Sequence, residues 1–179
     1  AVGAVATRAG TNTTVKTRVI SNNSVDYNSK AGWYLPLKSP GLVNGVGERV
    51  VNDVSLVDDK LVVTTLIPES GVSGNACATG GTTWVMEIDP ISGGRLKYSA
   101  LNTNDSSSVI DKNDDLSDGS GEYVVASGVS QDGSTAPLIL DITSTTQKKV
   151  FTNLSGSVSS LYEKSSSIAE GRQSWRQIR

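Results

Sequence analysis

The sequence predicts an all-β chain of antiparallel strands and hairpins, and three observations carry that reading. Ser, Thr, Asn and Gly supply 71 of the 179 residues, which suits polar strands and turns and suits neither helical bundles nor coiled coils. Apolar and β-branched residues alternate along most of the chain, and helical periodicity is hard to find. Clusters of Gly, Pro, Asn and Asp recur at short spacing, where tight turns need them. Eight to ten short strands of this kind make a sandwich, a barrel or a portion of a propeller.

The elements follow in order. Residues Val15 to Ile20 read as a strand, closed by the turn-rich Ser21-Asn22-Asn23-Ser24. Gly32 to Leu37 reads as a second, broken by Pro36 and ended by Ser39-Pro40-Gly41. Arg49 to Leu56 and Lys60 to Ile67 are two β runs joined at Asp58-Asp59, a tight hairpin. A Gly-rich loop spans Pro68 to Thr83. Thr83 to Ile88 and Arg95 to Leu101 are expected to pair across Asp89-Pro90-Ile91-Ser92-Gly93-Gly94, where Pro and Gly supply the turn. An acidic polar loop runs from Asn102 to Gly121, followed by strands at Glu122–Gly128, Ala136–Ile142 and Lys148–Leu154. The Ser-rich tail carries a last strand around Ser159 to Lys164.

Bulk properties exclude several functions. A net charge of −2 gives no electrostatic case for nucleic acid or anionic lipid, and Arg172, Arg176 and Arg179 are too few to change that. Histidine is absent, which removes the commonest general base and the commonest transition-metal ligand. Cys77 is the lone cysteine, so neither an intrachain disulfide nor a cysteine-rich zinc site can form. It reads as a buried thiol or an intermolecular link, and with no histidine to activate it, not as a nucleophile. No apolar run reaches the length of a bilayer span, and the long apolar N-terminal helix of a pilin is missing. The opening Ala-Val-Gly-Ala-Val-Ala, without Met, reads as a processed or truncated start.

Trp33, Trp84 and Trp175 offer either a stacking platform for a glycan or apolar anchors; Trp33 and Trp84 read as core, and Trp175 as a docked tail residue. Glu48 and Glu87 have no partner carboxylate at a recognisable spacing. The Gly pairs at 80–81 and 93–94 match hairpin loops and not a phosphate-binding loop. Nothing in the residues argues for an enzyme.

One resemblance runs along nearly the whole chain, from about Thr17 to the end. It rests on Gly32-Trp33-Tyr34-Leu35-Pro36-Leu37 followed by Gly47-Glu48-Arg49-Val50-Val51-Asn52, and on Thr64-Thr65-Leu66-Ile67-Pro68. It continues through Cys77-Ala78-Thr79-Gly80-Gly81-Thr82-Thr83-Trp84-Val85-Met86-Glu87-Ile88-Asp89, then Ser92-Gly93-Gly94-Arg95-Leu96. The tail Gly171-Arg172-Gln173-Ser174-Trp175-Arg176-Gln177-Ile178-Arg179 completes it. In order and spacing these resemble the last part of the PilY1/PilC family, surface-exposed factors of bacterial type IV pili. The resemblance implies part of a modified β-propeller, with a β-sandwich as the alternative. A blade takes about 40–45 residues, so the chain could supply about four, fewer than a full ring.

The resemblance also implies a calcium loop like that of an EF-hand, in which oxygen ligands alternate and Gly allows the bend. Asn102, Asn104 and Ser106 stand at its ligand positions, with Ser107 at the bend, so charge and Gly are lost. A second register, Asp111, Asn113 and Asp115, has the right first three ligands but Leu116 at the Gly position. Aspartates 105, 111, 114, 115 and 118 crowd this stretch, which reads as a calcium site or as a solvated acidic loop.

The functional expectation is an extracellular, non-enzymatic component of the type IV pilus system, exported to the cell surface. It resembles the C-terminal regulatory domain of a pilus-tip biogenesis and adhesion factor, with the pilus tip or minor pilins as partners. A different class is a structural fibre subunit. In it residues 1–25 form an arm that donates a strand to another copy, and residues 26–179 form the β domain.

Overall fold

The structure, a computed structural model, describes residues 2–9, 14–37, 47–68, 81–104, 110, 114–117, 123–132, 137–143, 145–152 and 156–165. Twelve strands follow one another among these residues. They are β1 (Val2–Ala9), β2 (Thr14–Ile20), β3 (Arg49–Val50), β4 (Ser55–Val57), β5 (Lys60–Pro68) and β6 (Gly81–Ile88). Then come β7 (Leu116–Ser117), β8 (Tyr123–Val124), β9 (Gly128–Asp132), β10 (Leu138–Thr143), β11 (Thr146–Thr152) and β12 (Val158–Lys164). A large sheet has the order β1-β2-β9-β6-β5-β3, with β4 also on β5; β10-β11-β12 form a small sheet, and β7-β8 a ribbon. Every pairing is antiparallel.

The predicted hairpin at Asp58-Asp59 joins β4 to β5, and both aspartates take positive φ (49° and 59°). That conformation matches the right-handed twist of the strands it joins. The expected strands at 15–20, 60–67, 83–88, 136–142, 148–154 and 159–164 all have counterparts within a few residues. Residues 1–25, expected as an arm, contribute β1 and β2, and β2 lies inside the large sheet between β1 and β9.

Four strand expectations are corrected. Residues 32–37 pair with no strand, because they lie over the large sheet and spend Trp33, Leu35 and Leu37 on its apolar face. The run at 49–56 is broken into β3 and β4 by the bend at Asn52, leaving Val50, Val51, Val54 and Leu56 exposed along the outer edge. Residues 95–101 do not form a hairpin with β6 beyond a single bridge, Ile88 with Arg95. β6 already has β5 on one side and β9 on the other, so no free edge remains. Residues 100–102 turn to β12 instead: Lys164 N–H donates to the Ala100 carbonyl at 2.8 Å and Asn102 N–H to the Tyr162 carbonyl at 3.1 Å. Finally, residues 122–128 divide between β8 and the start of β9.

The central strand β6 is buried on both faces, as Thr83-Trp84-Val85-Met86-Glu87-Ile88 requires. Val62, Val85, Val129 and Leu101 meet Phe151 and Leu161 of the small sheet, so this cluster is the seam between the two sheets. On the other face, Ile20, Val63, Trp84, Met86 and Ile88 gather under Trp33, Leu35 and Leu37.

Each face also holds buried charge. Arg18 makes a two-pronged bond to Glu48 (2.8 and 2.9 Å), and Glu48 accepts a third from the Thr65 hydroxyl at 2.6 Å. The guanidinium lies 4.4 Å from the Trp84 ring centre. Gly128, in register with both Arg18 and Met86, keeps this space open: a Cβ there would stand 2.9 Å from Met86 Cγ. In the seam, Lys60, Glu87, Lys149 and Glu163 are all buried, two lysines against two glutamates.

Candidate functional site

Two regions answer to the sequence expectations: the base of the acidic loop and the ground around Trp33. At the loop base, Asp114 is 1 % exposed and its Oδ1 accepts from the backbone N–H of Thr103 (2.7 Å) and Asn104 (3.3 Å). The Thr103 hydroxyl returns a bond to the Asp114 carbonyl at 2.8 Å. Asp115 accepts from the Ser99 hydroxyl. The loop is therefore clamped at both ends, and its entry strand is tied to the edge of β12.

Of the expected calcium ligands, Asn102 is buried, Asn104 half-buried, and Asp115 is engaged by Ser99. Ser106, Asp111 and Asn113 lie outside the described residues. Among the described residues no three acidic, cysteine or histidine side chains come together to hold a metal. The carboxylates of Asp114 and Asp115 accept from the protein's own donors. Asp114 carries the clamp although no ligand position was assigned to it; the signal was an Asp at the far end of a loop whose near end begins Asn102-Thr103.

Around Trp33, a turn at Asp26 leads the chain across the Asp89–Gly94 loop. Asp26 accepts from the Asn28 N–H (3.0 Å) and the Ser29 hydroxyl (2.9 Å), and these bonds, the hydroxyl's first, hold its carboxyl below the usual range. Tyr27 donates to the Ile91 carbonyl, and Trp33 Nε1 to the Pro90 carbonyl at 3.0 Å. The indole lies directly on Gly93, whose φ of +65° and lack of a side chain are both required: a Cβ would stand 2.2 Å from Trp33 Cδ2. Asp89 closes the loop by accepting from the N–H groups of Ile91 (2.7 Å) and Ser92 (3.0 Å).

Beside this lies a groove of about 440 Å³, lined by Ile20, Trp33, Tyr34, Leu35, Pro36 and Ser92 among others. Tyr34 is 87 % exposed at its rim. Its lining offers aromatic faces, amides and hydroxyls and no carboxylate, amine or thiol. Such a surface offers stacking and hydrogen-bond contact to a partner. Trp84 is 4 % exposed, covered on its sheet face by the segment that carries Trp33, so the two offer no shared exposed platform. Cys77 and Trp175 lie outside the described residues.

The buried charges were the site-like feature the sequence reading passed over. Glu87 does have a carboxylate neighbour, Glu163, joined to it through Lys149. The signal was alternation: Lys149 shares the inward parity of Phe151, and Glu163 that of Leu161. Tyr98 borders this region, and burial, with the charges of Glu87, Asp58 and Asp59, pushes its phenol up to about 12.

No family model matches the chain. It is 37 % identical over 82 residues to a type IV pilus biogenesis factor PilY1 homolog of Xylella fastidiosa, covering 46 % of this chain and 5 % of the relative. It is 27 % identical over 169 residues to the type IV pilus biogenesis factor PilY1 of Pseudomonas aeruginosa, covering 90 % of this chain and 13 % of that protein. The chain thus spans a small part of the curated relatives it matches. Among solved structures, the Pseudomonas aeruginosa PilY1 C-terminal domain superposes with a TM-score of 0.68 at 18 % identity. The superposition covers 90 % of this chain and 30 % of that one. The expected all-β, propeller-like class is shown by this likeness. The chain is homologous to a segment of the type IV pilus biogenesis factor PilY1, and its fold is that of part of the PilY1 C-terminal domain.

Proposed function

We propose that this chain acts outside the cell as a non-catalytic β domain of a type IV pilus biogenesis factor, meeting pilus-tip components or minor pilins. One observation carries the reading: sequence similarity to PilY1 and structural likeness to its C-terminal domain each extend over 90 % of the chain. The site chemistry agrees with it. The aromatic groove is a contact surface, and the buried ionisable side chains of the seam are engaged with one another. No helix among the described residues is long and apolar enough to cross a membrane. The test is deletion of this segment from its gene in the source bacterium, with surface pili counted after shearing and twitching motility measured. Loss of both with the remaining protein still exported is the expected result; unchanged piliation and motility would remove the proposal.

A second reading, a fibre subunit, is favoured by exposed apolar residues on two outer strands: Leu56 beside β5 and Leu138 and Leu140 on β10. Such edges pair with other chains unless covered. Light scattering of the purified chain separates the readings, since a monomer of 18.7 kDa at high concentration excludes the fibre.

A further inference from the structure

Lys60, Glu87, Lys149 and Glu163 meet in the buried seam between the sheets, each with 0 % of its surface exposed. Lys149 Nζ touches Glu87 Oε1 and Glu163 Oε2. Lys60 Nζ stands 3.4 Å from Glu87 Oε2 and 3.9 Å from Glu163 Oε2, and it donates to the Lys164 carbonyl at 3.0 Å. Neither Glu87 Oε2 nor Glu163 Oε1 receives a hydrogen bond. Of the two, Glu87 Oε2 faces the Lys60 ammonium, while Glu163 Oε1 has no hydrogen-bond donor.

Keeping four charges from water is costly even when they balance. One proton passed from Lys149 to Glu163 halves the number of charges. It leaves Lys60 with Glu87 as an ion pair, and a free amine against a neutral acid. Burial, the largest influence on Lys149, acts in that direction, holding its ammonium below the usual lysine range despite the attraction of Glu87. Lys149 and Glu163 also lie on one face of adjacent strands, for Gln147 is the partner of Glu163 in register and Lys149 is the next inward residue. An amine and an acid held against each other in a buried site meet at the high effective concentration of an intramolecular reaction.

We propose that Lys149 and Glu163 are joined by an intramolecular isopeptide bond, which staples β11 to β12 at the sheet interface. The Lys149 amine attacks Glu163 Cδ. Glu87, in contact with the same nitrogen, takes its proton and delivers it to the departing oxygen. A C–N bond forms, a C–O bond breaks, one water leaves, and no oxidant or reductant is needed. Glu163 is the acyl partner because Lys60 stands closer to Glu87, at 3.4 Å against 3.9 Å. The product has one carbonyl oxygen where the acid had two, which removes the acceptor that lacks a donor.

The test is the mass of the full purified chain, followed by peptide mapping. A chain one water lighter than its sequence, with a branched peptide joining Lys149 to Glu163, is the expected result. Asp118-Gly119 and Asp132-Gly133 can also lose water by closing to a cyclic imide, so the position of the loss decides. The full sequence mass, or a loss mapped to an Asp-Gly step or to Glu87, overturns the proposal. Lys149→Arg keeps the charge and lacks the attacking amine, so it should carry the full mass; a water lost from Glu163 in that variant would also overturn it. Should that variant fail to fold, the map of the natural chain still gives the answer.

Discussion

Arg18 illustrates what a buried charge asks of its neighbours: two carboxylate oxygens, an aromatic face and a glycine opposite that leaves room. Removing one member strands the other. Arg18→Met should cost about 3–5 kcal/mol by leaving Glu48 charged and uncompensated, whereas Arg18→Met with Glu48→Leu should recover most of the loss. Urea midpoints of the two variants check this, and equal losses would mean that packing and not charge sets the cost. Tyr98 gives a pH-dependent counterpart. Its folded phenol keeps its proton to about 12, while an unfolded tyrosine releases it near 10. Between these values the unfolded chain binds fewer protons, so stability falls as pH rises through the window. Tyr98→Phe lacks this proton, and the stability gap between the natural chain and the variant should shift toward the variant from pH 10 to 12. A gap that stays constant over that range would mean that neither burial nor the neighbouring carboxylates raise the Tyr98 phenol.

At the scale of elements, the loop clamp is the informative case. Thr103 is fully buried, and Asp114 accepts from its N–H and from that of Asn104. Asp114→Ala leaves buried donors without an acceptor, and should cost about 2–3 kcal/mol. The loss should be the same in excess calcium and in chelator, read from thermal unfolding in each; a loss confined to calcium would make Asp114 a ligand and not a clamp. Strands and their turns were legible where period and turn chemistry agree, as at Asp58-Asp59 between β4 and β5 and at Lys148–Leu154 for β11. They were illegible where pairing is decided at long range. Nothing local in Arg95–Leu101 says that β9, which begins only at Gly128, already occupies the edge of β6. Likewise Gly32–Leu37 alternates as a strand would, yet its alternate residues reach a sheet face and its backbone pairs with no strand. The same limit hid the seam charges. Lys149 and Glu163 stand in two separate strand candidates, and only the facing of two sheets brings Glu87 to them.

At the scale of the whole molecule, the two larger sheets are held at one seam, and the seam is divided by chemistry. One part is apolar, where Phe151 and Leu161 of the small sheet meet Val62, Val85 and Val129 of the large one. The other is the four-charge cluster, which fixes how the sheets face each other because opposite charges tolerate little sliding. Phe151 is fully buried and is the largest apolar side chain that the small sheet sends across. Phe151→Ala opens a cavity that neither sheet can fill without dragging the charges apart, and should cost about 3–5 kcal/mol. The exposed Leu138 on β10 of the same sheet provides the control, since Leu138→Ala should change stability by no more than about 0.5 kcal/mol. Amide exchange tells where the loss falls. If the seam alone unites the sheets, the amides of β11 and β12 lose protection in Phe151→Ala while those of β5 and β6 keep it. Uniform loss across all four strands would instead mean that the sheets unfold as one unit, with the seam no weaker than the strand pairings on either side of it.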